Sequence, residues 1–529
     1  MSNELEFLSR RVASGKLSRR DFLGRAAALG VTATFANTLL SNAARAAGPV
    51  KGGILKAGLV GGESTNSLDP ALFMTQVPFA FGKMWGELIV ELSPEGNLEN
   101  RIAEEIGSSD DAKTWTLKIR DGVEFHNGKT VTAEDVAATL ERHSDEKSKS
   151  GALGYMKGIE RIKANGKEVV LTLKEPNADL PYLLSDYHLI VQPNGGKDGA
   201  DAGISAGPYK ITTNEPGVRH GGERFANYWQ ADKMGHADQI EIIVINDATA
   251  RTSALQGGQV NMINRVEPKI VDLIKRLPGV TIRNHAGPGH YVFIMHCNTA
   301  PFDNNDLRMA LKLAIDREEM LDKILRGYGS LGNDFPINAA YPLFSDDIEQ
   351  RKYDPDKAKF HYKKSGHDGA ILLRTSDVAF PGAVDAAQLF QQSAAKAGIT
   401  LEVKREPGDG YWSEVWNKQP FSASYWGGRS TQDQMYSTAY LSTADWNDTR
   451  FLRPDFDKMV LAARAELDND KRKAMYRDMA MLVRDEGGLI LPMFNQFIDA
   501  TGAKVGGWID DPHQELMNGY ALAKCWLEA

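Results

Sequence analysis

Short apolar runs alternate along this chain with stretches in which apolar residues recur every three or four positions. The clearest stretch begins with an apolar run at 291–295, which predicts a buried strand. After a loop, apolar residues fall on one face of a predicted helix: Leu307, Ala310, Leu311, Ala314, Leu321, Ile324 and Leu325. We expect Asp303 or Asn305 to cap this helix and Gly327 to end it. The charged residues between are expected mostly on the solvent side: Arg308, Lys312, Arg317 and Glu318.

Similar patterns of apolar and polar residues predict strands and helices over the rest of the chain. Strict alternation predicts half-buried strands at 115–119 and 169–173, and an apolar run predicts a buried strand at 489–494. A helical period at 383–397 lies between two strand-like runs, at 370–374 and 399–403. This strand–helix–strand order is typical of an α/β lobe with crossover connections.

The first 46 residues are predicted to be a signal peptide rather than part of the fold. Residues 18–23 read S-R-R-D-F-L, an apolar run occupies 26–40, and A-R-A stands at 44–46. The apolar run is too short for a comfortable membrane span. The paired arginines resemble the twin-arginine export signal. An ordinary secretory signal and a chance amphipathic helix are the alternatives.

Composition and charge exclude some classes of function. The chain has 529 residues, of which 42% are hydrophobic and 25% charged, enough for two to four domains with real cores. Without residues 1–46 the chain keeps 55 Lys/Arg and 67 Asp/Glu, a net charge of −12. This acidity argues against a nucleic-acid partner and against a basic membrane patch. No cysteine lies near the predicted cleavage site, so we expect a soluble periplasmic protein that is not a lipoprotein.

The two cysteines, Cys297 and Cys525, are too few for a Cys-based zinc site. One disulfide is compatible with export. Two separate buried thiols that pack as small apolar residues are equally compatible.

Several motifs resemble those of a known family. The string W-T-L-K-I-R-D-G-V-E-F-H-N-G-K-T-V-T-A-E-D-V at 115–136 is close to the family pattern Y-T-F-K-L-R-x-G-V-K-F-H-D-G-x-x-x-T-A-E-D-V. The string N-T-A-P-F-D-N-N-D-L-R-M-A-L-K-L-A-I-D-R-E at 298–318 resembles a second family signature. The family is that of the peptide-, opine- and nickel-type solute-binding proteins of ABC importers, bacterial extracellular family 5. An L-D-P at 68–70 resembles a loop that lies at the ligand cleft in this family, and it places Asn66 there.

The resemblance covers roughly residues 50–525 and implies an architecture. We expect an α/β protein, a two-lobed periplasmic-binding-protein clamp of type II-like form with an additional third domain and a ligand cleft between the lobes. The expected divisions are domain I at 47–90, 205–290 and 498–529, domain II at 91–204, and domain III at 291–497.

Aromatic residues are dense in one segment, which contains Trp412, Trp416, Tyr425 and Trp426. Such a cluster forms part of a core as often as the wall of a cleft. Polar neighbours and the following Gly-Gly-Arg at 427–429 favour the cleft, because glycines let backbone and a charge approach a ligand.

Arg429 departs from the family pattern. In peptide binders of this family, a Trp is followed three residues later by an Asp that holds the α-amino group of the ligand. Here Trp426 is followed by Arg429, whose planar fork of donors suits a carboxylate or phosphate. Asp433 could still hold a cation. The resemblance and this departure favour an opine-like sugar–amino-acid conjugate, an acylated amino acid, or a peptide in another pose. Alternatively, Arg429 pairs with a protein carboxylate such as Asp433, Glu406 or Asp409.

The predicted function is a periplasmic solute-binding component that delivers an amino-acid-derived solute to an ABC permease, as a monomer without metal, cofactor or catalytic residues. The alternative is a secreted hydrolase with paired carboxylates at 104–105, 110–111 and 318–319. Adjacent residues point apart, so these pairs are expected to be solvated. No nucleophile elbow or H-E-x-x-H motif supports the alternative.

Overall fold

The computed structural model describes residues 5, 8, 17, 19–28, 48–466 and 468–528. Within the predicted signal peptide, Arg19–Ala28 forms a helix. The rest of its apolar run, at 29–40, and the predicted cleavage site at 44–46 lie outside the described residues. None of the described helices combines the length and the apolar character needed to cross a membrane.

The strands follow one another in chain order as β1 (Ile54–Leu59), β2 (Val90–Leu92), β3 (Leu98–Asn100), β4 (Ala103–Ser108), β5 (Thr114–Ile119), β6 (Ile159–Asn165), β7 (Glu168–Leu173), β8 (Tyr209–Glu215), β9 (Arg219–Arg224), β10 (Gln239–Val244), β11 (Met262–Ile263), β12 (Val280–Met295), β13 (Gly329–Leu331), β14 (Ile371–Thr375), β15 (Leu401–Arg405), β16 (Phe421–Trp426), β17 (Leu489–Gly502), β18 (Val505–Gly506) and β19 (Trp526–Leu527).

After the Arg19–Ala28 helix, the longer α-helices span Gln76–Trp85, Ala133–Ser144, Ala248–Gln256, Asn305–Ala314, Pro355–Ser365, Ala383–Lys396, Gln432–Ala439, Pro454–Ala465 and Asn469–Glu486. Single α-helical turns are formed by Leu153–Met156, Leu180–Leu183, Val271–Ile274, Arg317–Met320, Glu515–Asn518 and Ala521–Lys524. Short 3₁₀ turns lie at Pro70–Leu72, Pro193–Gly196 and Pro268–Ile270, and π-helical turns at Leu321–Leu325 and Tyr411–Val415.

One mixed sheet links the two lobes. Within the described residues it contains eleven strands in the order β15-β14-β16-β12-β17-β11-β1-β10-β9-β8, with β13 paired to β17. Strands β12 and β17 are 16 and 14 residues long and pair antiparallel. The pairing register shifts between Ala286 and His290. Strands of one lobe lie on one side of this long pair and strands of the other lobe on its far side. The pair is therefore the covalent and hydrogen-bonded link between the lobes.

The remaining domain has its own sheet and core. Strands β4-β5-β7-β6 form an antiparallel sheet that the Ala133–Ser144 helix covers. Buried apolar residues at 89–206 form one cluster, those at 291–494 with Val60 a second, and those at 55–88, 190, 209–262 and 505–525 a third. The α/β prediction is confirmed. The predicted limits at 290/291 and 497/498 fall inside the continuous strands β12 and β17.

The helix expected after the 291–295 run is interrupted. Asn304 caps it, rather than Asp303 or Asn305, and its first part ends at Ala314 because Ile315 is extended. The side chain of Asp316 then accepts a hydrogen bond from the Glu319 N–H and starts a second turn. The apolar period continues through the break because apolar residues of both parts pack into the same core cluster.

Charged residues expected on the solvent side of that helix are buried: Arg308, Lys312 and Arg317. Arg317 donates to both oxygens of Asp334, at 2.6 and 2.7 Å. Lys312 Nζ donates to the carbonyl oxygen of Arg484 at 2.7 Å. Burial lowers the pKa of Lys312 to about 7. The prediction was wrong because buried cations are tolerated where distant segments supply acceptors.

The cysteines are separate. Cys297 is half-buried and Cys525 is buried, and neither forms a disulfide. Cys525 packs with its sulfur 3.6 Å from that of Met517. Of the two alternatives, the structure therefore has the separate thiols.

Candidate functional site

Four tryptophans of the second lobe meet at the end of β16. Trp412 and Trp416 stand four residues apart around a π-helical turn, Trp426 ends β16, and Trp446 comes from a later loop. Ring centroids lie 6.2 Å apart for Trp412 and Trp416, and 5.6 Å apart for Trp416 and Trp446. Trp426 and Trp446 are 5.9 Å apart. All contacts are edge-to-face, the arrangement that aromatic quadrupoles favour, so the rings hold one another in place.

Asp448 holds two of these indole rings in place through hydrogen bonds. Its Oδ2 accepts hydrogen bonds from the indole Nε1 of Trp416 at 3.0 Å and of Trp426 at 3.1 Å. The carboxyl group is buried. Burial raises the pKa of Asp448 to about 7, although both indole hydrogen bonds act in the opposite direction.

The guanidinium of Arg429 lies against this aromatic cluster. Its central carbon is 5.4 Å from the ring centroid of Trp426 and 5.9 Å from that of Trp446. Nη1 donates to the carbonyl oxygen of Gly428 at 2.6 Å. Nε and Nη2 are buried and make no well-formed hydrogen bond in the described part of the chain. Tyr187 and the carboxylate of Asp186 lie close enough to interact with the guanidinium, and the rest of its donor fork is open to a ligand.

The carboxylates considered as protein partners for Arg429 are engaged elsewhere. Asp433 pairs with Arg464, and Glu406 pairs with Arg374 and Lys404. Asp409 accepts hydrogen bonds from Ser64. None of these three carboxylates pairs with Arg429, whereas the buried carboxylate of Asp186 interacts with its charge.

Two glycines shape the segment before Arg429. Gly428 has φ +84°, and a Cβ there would lie 2.4 Å from the Pro288 ring. A Cβ on Gly427 would lie 2.2 Å from the amide oxygen of Gln514. A residue without a side chain is required at Gly428, because its φ is positive and the backbone passes close to the Pro288 ring. At Gly427 a side chain would displace the end of Gln514. This close passage brings Arg429 and Gln514 to the same place.

These side chains line a small cavity of about 40 Å³ between the lobes. The first lobe contributes Thr75, Gln76 and Phe79 at the start of the Gln76–Trp85 helix, together with Gln514. Tyr187 of the third domain completes the wall. The cavity adjoins a larger cleft of about 950 Å³ that shares several lining residues: Phe79, Tyr187, Arg429 and Gln514.

The structure brings together five of the seven predicted ligand residues around the small cavity: Trp412, Trp416, Tyr425, Trp426 and Arg429. Asn66 lines neither space. Its side-chain oxygen instead accepts from the Glu63 N–H at 2.7 Å and shapes the loop. Asp433 also lines neither space. Both of its oxygens accept from Arg464 Nε at 3.1 Å, so its charge is already paired within the protein.

The loop around Asn66 nevertheless touches the site. A carboxylate oxygen of Glu63 accepts a hydrogen bond from the backbone N–H of Trp412 at 2.9 Å. Burial raises the pKa of Glu63, and the Trp412 hydrogen bond opposes this shift. Asn66 therefore acts through Glu63 on the wall of the cavity, from the first lobe to the second.

Sequence reasoning missed several lining residues: Thr75, Gln76, Tyr187, Trp446 and Gln514. Trp446 had one signal, since it follows the aromatic-rich segment by only twenty residues. The others come from separate segments with no local signal for a ligand.

The paired carboxylates of the alternative reading are not assembled into a site. Glu104, Glu105, Asp110 and Asp111 are exposed in or beside β4, as is Glu318 on its helical turn. No group of three or more His, Cys, Asp or Glu side chains arranged to hold a metal occurs in the part of the chain that the structure describes.

Comparisons with known proteins give a family and relatives. The profile of the bacterial extracellular solute-binding proteins, family 5 (middle), matches residues 97–448. The glutathione-binding protein GsiB of Shigella flexneri serotype 5b is 26% identical over 349 residues, which cover 65% of this chain and 68% of that protein. GsiB of Escherichia coli K12 is 26% identical over 352 residues, with the same coverage.

Among solved structures, AgaA of A. tumefaciens R10 in complex with agropinic acid superposes with a TM-score of 0.82. It is 22% identical, and the match covers 90% of this chain and 99% of that one. The periplasmic binding protein DppA of Helicobacter pylori, in complex with the peptide STSA, gives a TM-score of 0.81 at 20% identity, with 91% and 99% covered. These likenesses confirm the predicted clamp fold.

Proposed function

Because the chain belongs to the bacterial extracellular solute-binding proteins of family 5, and so serves as the substrate-binding component of an ABC importer, we propose that it captures a small, anionic, amino-acid-derived solute through Arg429. The observation that carries the proposal is the buried edge of the Arg429 guanidinium, where Nε and Nη2 make no well-formed hydrogen bond and have Tyr187 as their neighbour. This edge faces a cavity between the lobes, where a clamp closes on its solute.

The chemistry of the cavity suits a carboxylate. Nε and Nη2 of an arginine match the two oxygens of a planar carboxylate in a bidentate pair. Aromatic walls displace water around the pair, and this strengthens the attraction between opposite charges. The tryptophan rings supply flat apolar surface for the remainder of the solute.

Two relatives are in keeping with this solute class, since one is described as glutathione-binding and one structure contains agropinic acid. A peptide whose ammonium group is held by Asp433 loses support, because Asp433 is bonded to Arg464. An opine-like conjugate, an acylated amino acid and a peptide in another pose remain the candidate solutes.

We also propose the route and the compartment. The twin-arginine motif at 18–23 directs export, and the mature chain is a free periplasmic monomer that is not a lipoprotein. It hands its solute to membrane permease subunits without a cofactor, a nucleic-acid partner or catalysis of its own. Replacing Arg19 and Arg20 by Lys keeps the charge and should stop export through this route. Full periplasmic yield of that variant would point to the general secretory pathway.

The test of the solute class starts from protein purified out of its native periplasm. Solute released by denaturation is identified by mass spectrometry, for wild type and for Arg429→Ala expressed at the same level. We expect an organic acid from wild type and little or none from the variant. Release of a neutral or purely cationic solute, or equal loading of the two proteins, would refute the role of Arg429.

A further inference from the structure

Unpartnered polar atoms are concentrated on the wall of the small cavity. Five of its lining side chains carry buried polar atoms without a hydrogen-bond partner: Thr75 Oγ1, Gln76 Oε1, Trp412 Nε1, Gln514 Oε1, and Nε and Nη2 of Arg429. Thr75 and Gln76 are 3% and 2% exposed, and Trp412 is 4% exposed. Buried polar groups normally find partners, so groups that converge on one cavity indicate the hydrogen bonds that a bound molecule completes.

These atoms divide by chemistry into two sets. The indole of Trp412 and the guanidinium of Arg429 can only donate hydrogen bonds. The side-chain oxygens of Gln76 and Gln514 accept, and both belong to uncharged amides. A matching solute therefore offers acceptors at one end, and neutral N–H or O–H donors toward the two amides.

A positively charged group finds no counter-charge in this cavity. None of its described lining residues is Asp or Glu. Buried carboxylates that contact or adjoin its lining residues are used by the protein: Glu63 by the Trp412 N–H, Asp448 by two indoles, and Glu515 by Arg265. Asp186 lines the larger cleft, where His188 and Gln434 hold its two oxygens and its charge already interacts with the guanidinium of Arg429.

Arg429 itself adds to the exclusion of cations. Its guanidinium already occupies the faces of Trp426 and Trp446, the groups that would otherwise attract an ammonium. An ammonium in the cavity would face this fixed positive charge at short range in a water-poor environment. Like charges brought together in this way weaken binding strongly.

We propose that the cavity selects organic anions whose nitrogen, where they have one, is acylated or otherwise uncharged, and that it rejects a free ammonium. This inference rests on the proposed function, in which Arg429 holds a carboxylate of the solute. Of the candidate solutes, the N-acylated amino acid fits, because its amide N–H is a neutral donor for Gln76 or Gln514. A free peptide N-terminus and an amine-linked conjugate that stays protonated do not fit.

The first test uses the solute released from protein purified out of its native periplasm. One portion is esterified, which reveals carboxylates, and a second is treated with an amine-acylating reagent. We expect a mass shift in the first reaction and none in the second. A solute that reacts in both overturns this inference and leaves the proposed function intact. A solute that does not react with the esterifying reagent defeats the proposed function itself.

The second test is a calorimetric panel of the twenty proteinogenic amino acids, each as the free amino acid and as its N-acetyl derivative. We expect the binders to be N-acetyl derivatives, each at least about 30-fold tighter than its free partner. Equal or tighter binding of free amino acids overturns the proposal. A panel without an N-acetyl binder overturns it as well.

A variant that adds a negative charge to the cavity wall should reverse the preference between free and N-acetyl amino acids. Gln514→Glu places a carboxylate on the cavity wall and should strengthen binding of the free amino acids while weakening that of the N-acetyl forms. Gln259→Glu adds the same charge at an exposed position and should change neither preference. Gln76→Glu repeats the change from a different segment of the same lobe, should Gln514→Glu fail to fold. An unchanged preference in a folded variant contradicts the proposal.

Discussion

The buried arginines of this protein find their hydrogen-bond and charge partners in two different ways. Around Asp334, Arg317 and Arg351 both donate to one carboxylate at 2.6–2.7 Å, and the backbone N–H of Leu491 adds a fourth hydrogen bond at 2.9 Å. At the cavity, Arg429 lies against tryptophan rings, and one edge of its guanidinium makes no well-formed hydrogen bond. Desolvation is costly in both places, but only Asp334 forms ion-pair contacts with its arginines, whereas Asp186 interacts with Arg429 without such a contact.

The Asp334 cluster belongs to the structural scaffold, whereas Arg429 belongs to the candidate binding site. Asp334, Arg317 and Arg351 all belong to the second lobe, so their cluster forms when that lobe folds. Arg429 lies where two lobes and the third domain meet, and its missing partner is the solute in our proposal. The following experiments test whether the arginine cluster around Asp334 serves stability while Arg429 serves affinity for the solute.

The largest effect is expected from opening the paired cluster. Asp334→Asn removes the charge shared by Arg317 and Arg351, and breaking a buried ion pair from one side costs about 3–5 kcal/mol of unfolding free energy. Urea unfolding measures the loss. Asp347→Asn removes the exposed partner of Arg477 and should change stability by less than about 0.5 kcal/mol. Wild-type stability in Asp334→Asn would remove the distinction between the two environments.

A second prediction compares two buried carboxyl groups. Burial raises the pKa of Asp448 from 3.8 to about 7, because its contacts at Oδ2 are neutral indoles. Burial also acts to raise the pKa of Asp334, but Arg317 and Arg351 outweigh it and hold that pKa below its ordinary value. The two groups should therefore respond to pH with opposite sign.

For Asp448 the folded-state pKa lies above the unfolded one. Its contribution to stability is therefore complete below about pH 4 and is lost as pH rises through about 7. Relative to Asp448→Asn, which cannot titrate, wild type should lose on the order of 4 kcal/mol across that window. Urea unfolding of both proteins at a series of pH values measures the change. A difference independent of pH would show that the indoles stabilise the ionised form fully.

The third prediction concerns Arg429. Arg429→Ala should weaken binding of the released native solute by about 2–5 kcal/mol, because the carboxylate of the solute is left buried and unpaired. This is a loss of roughly 30-fold to several thousand-fold in affinity. Arg429→Lys should recover little, since an ammonium does not reproduce the donor fork. Stability should not fall, in contrast to Asp334→Asn.

A calorimetric double cycle is the sharpest measurement. Solute with its carboxylate amidated should bind wild type weakly, yet bind Arg429→Ala about as well as the unmodified solute does, because both changes remove one contact. Additive losses would make Arg429 a structural residue and would leave the cavity without its proposed anion partner.

The smallest effect is expected at Trp412. Trp412→Phe keeps an aromatic ring and removes the unpartnered Nε1 donor, so affinity should fall by about 0.5–1.5 kcal/mol with little change in stability. Trp416→Phe is the matched control, because the Nε1 of Trp416 donates to Asp448 instead of facing a solute. It should lower stability and leave affinity closer to wild type. The reverse result would exchange the roles of the two rings.

The α/β class, the family and the aromatic half of the site could all be predicted from the amino-acid sequence alone. These properties are local: a strand or helix face is written in residues two to four apart, and Trp412, Trp416, Tyr425, Trp426 and Arg429 lie within eighteen consecutive positions. A contiguous segment of this kind stays together whatever the rest of the fold does, so its composition is informative without the tertiary structure.

Which buried charges are neutralised could be seen only in the tertiary structure, because their partners come from distant segments of the chain. Arg464 reaches Asp433 from 31 residues away, and Lys312 reaches a carbonyl oxygen 172 residues away. Thr75, Tyr187 and Gln514 meet at one cavity although more than a hundred residues separate each from the next. Periodicity reports that a position is buried, but it carries no information about what it is buried against. The free energy of a buried charge depends on that partner, and so does the difference between Asp433 and Arg429.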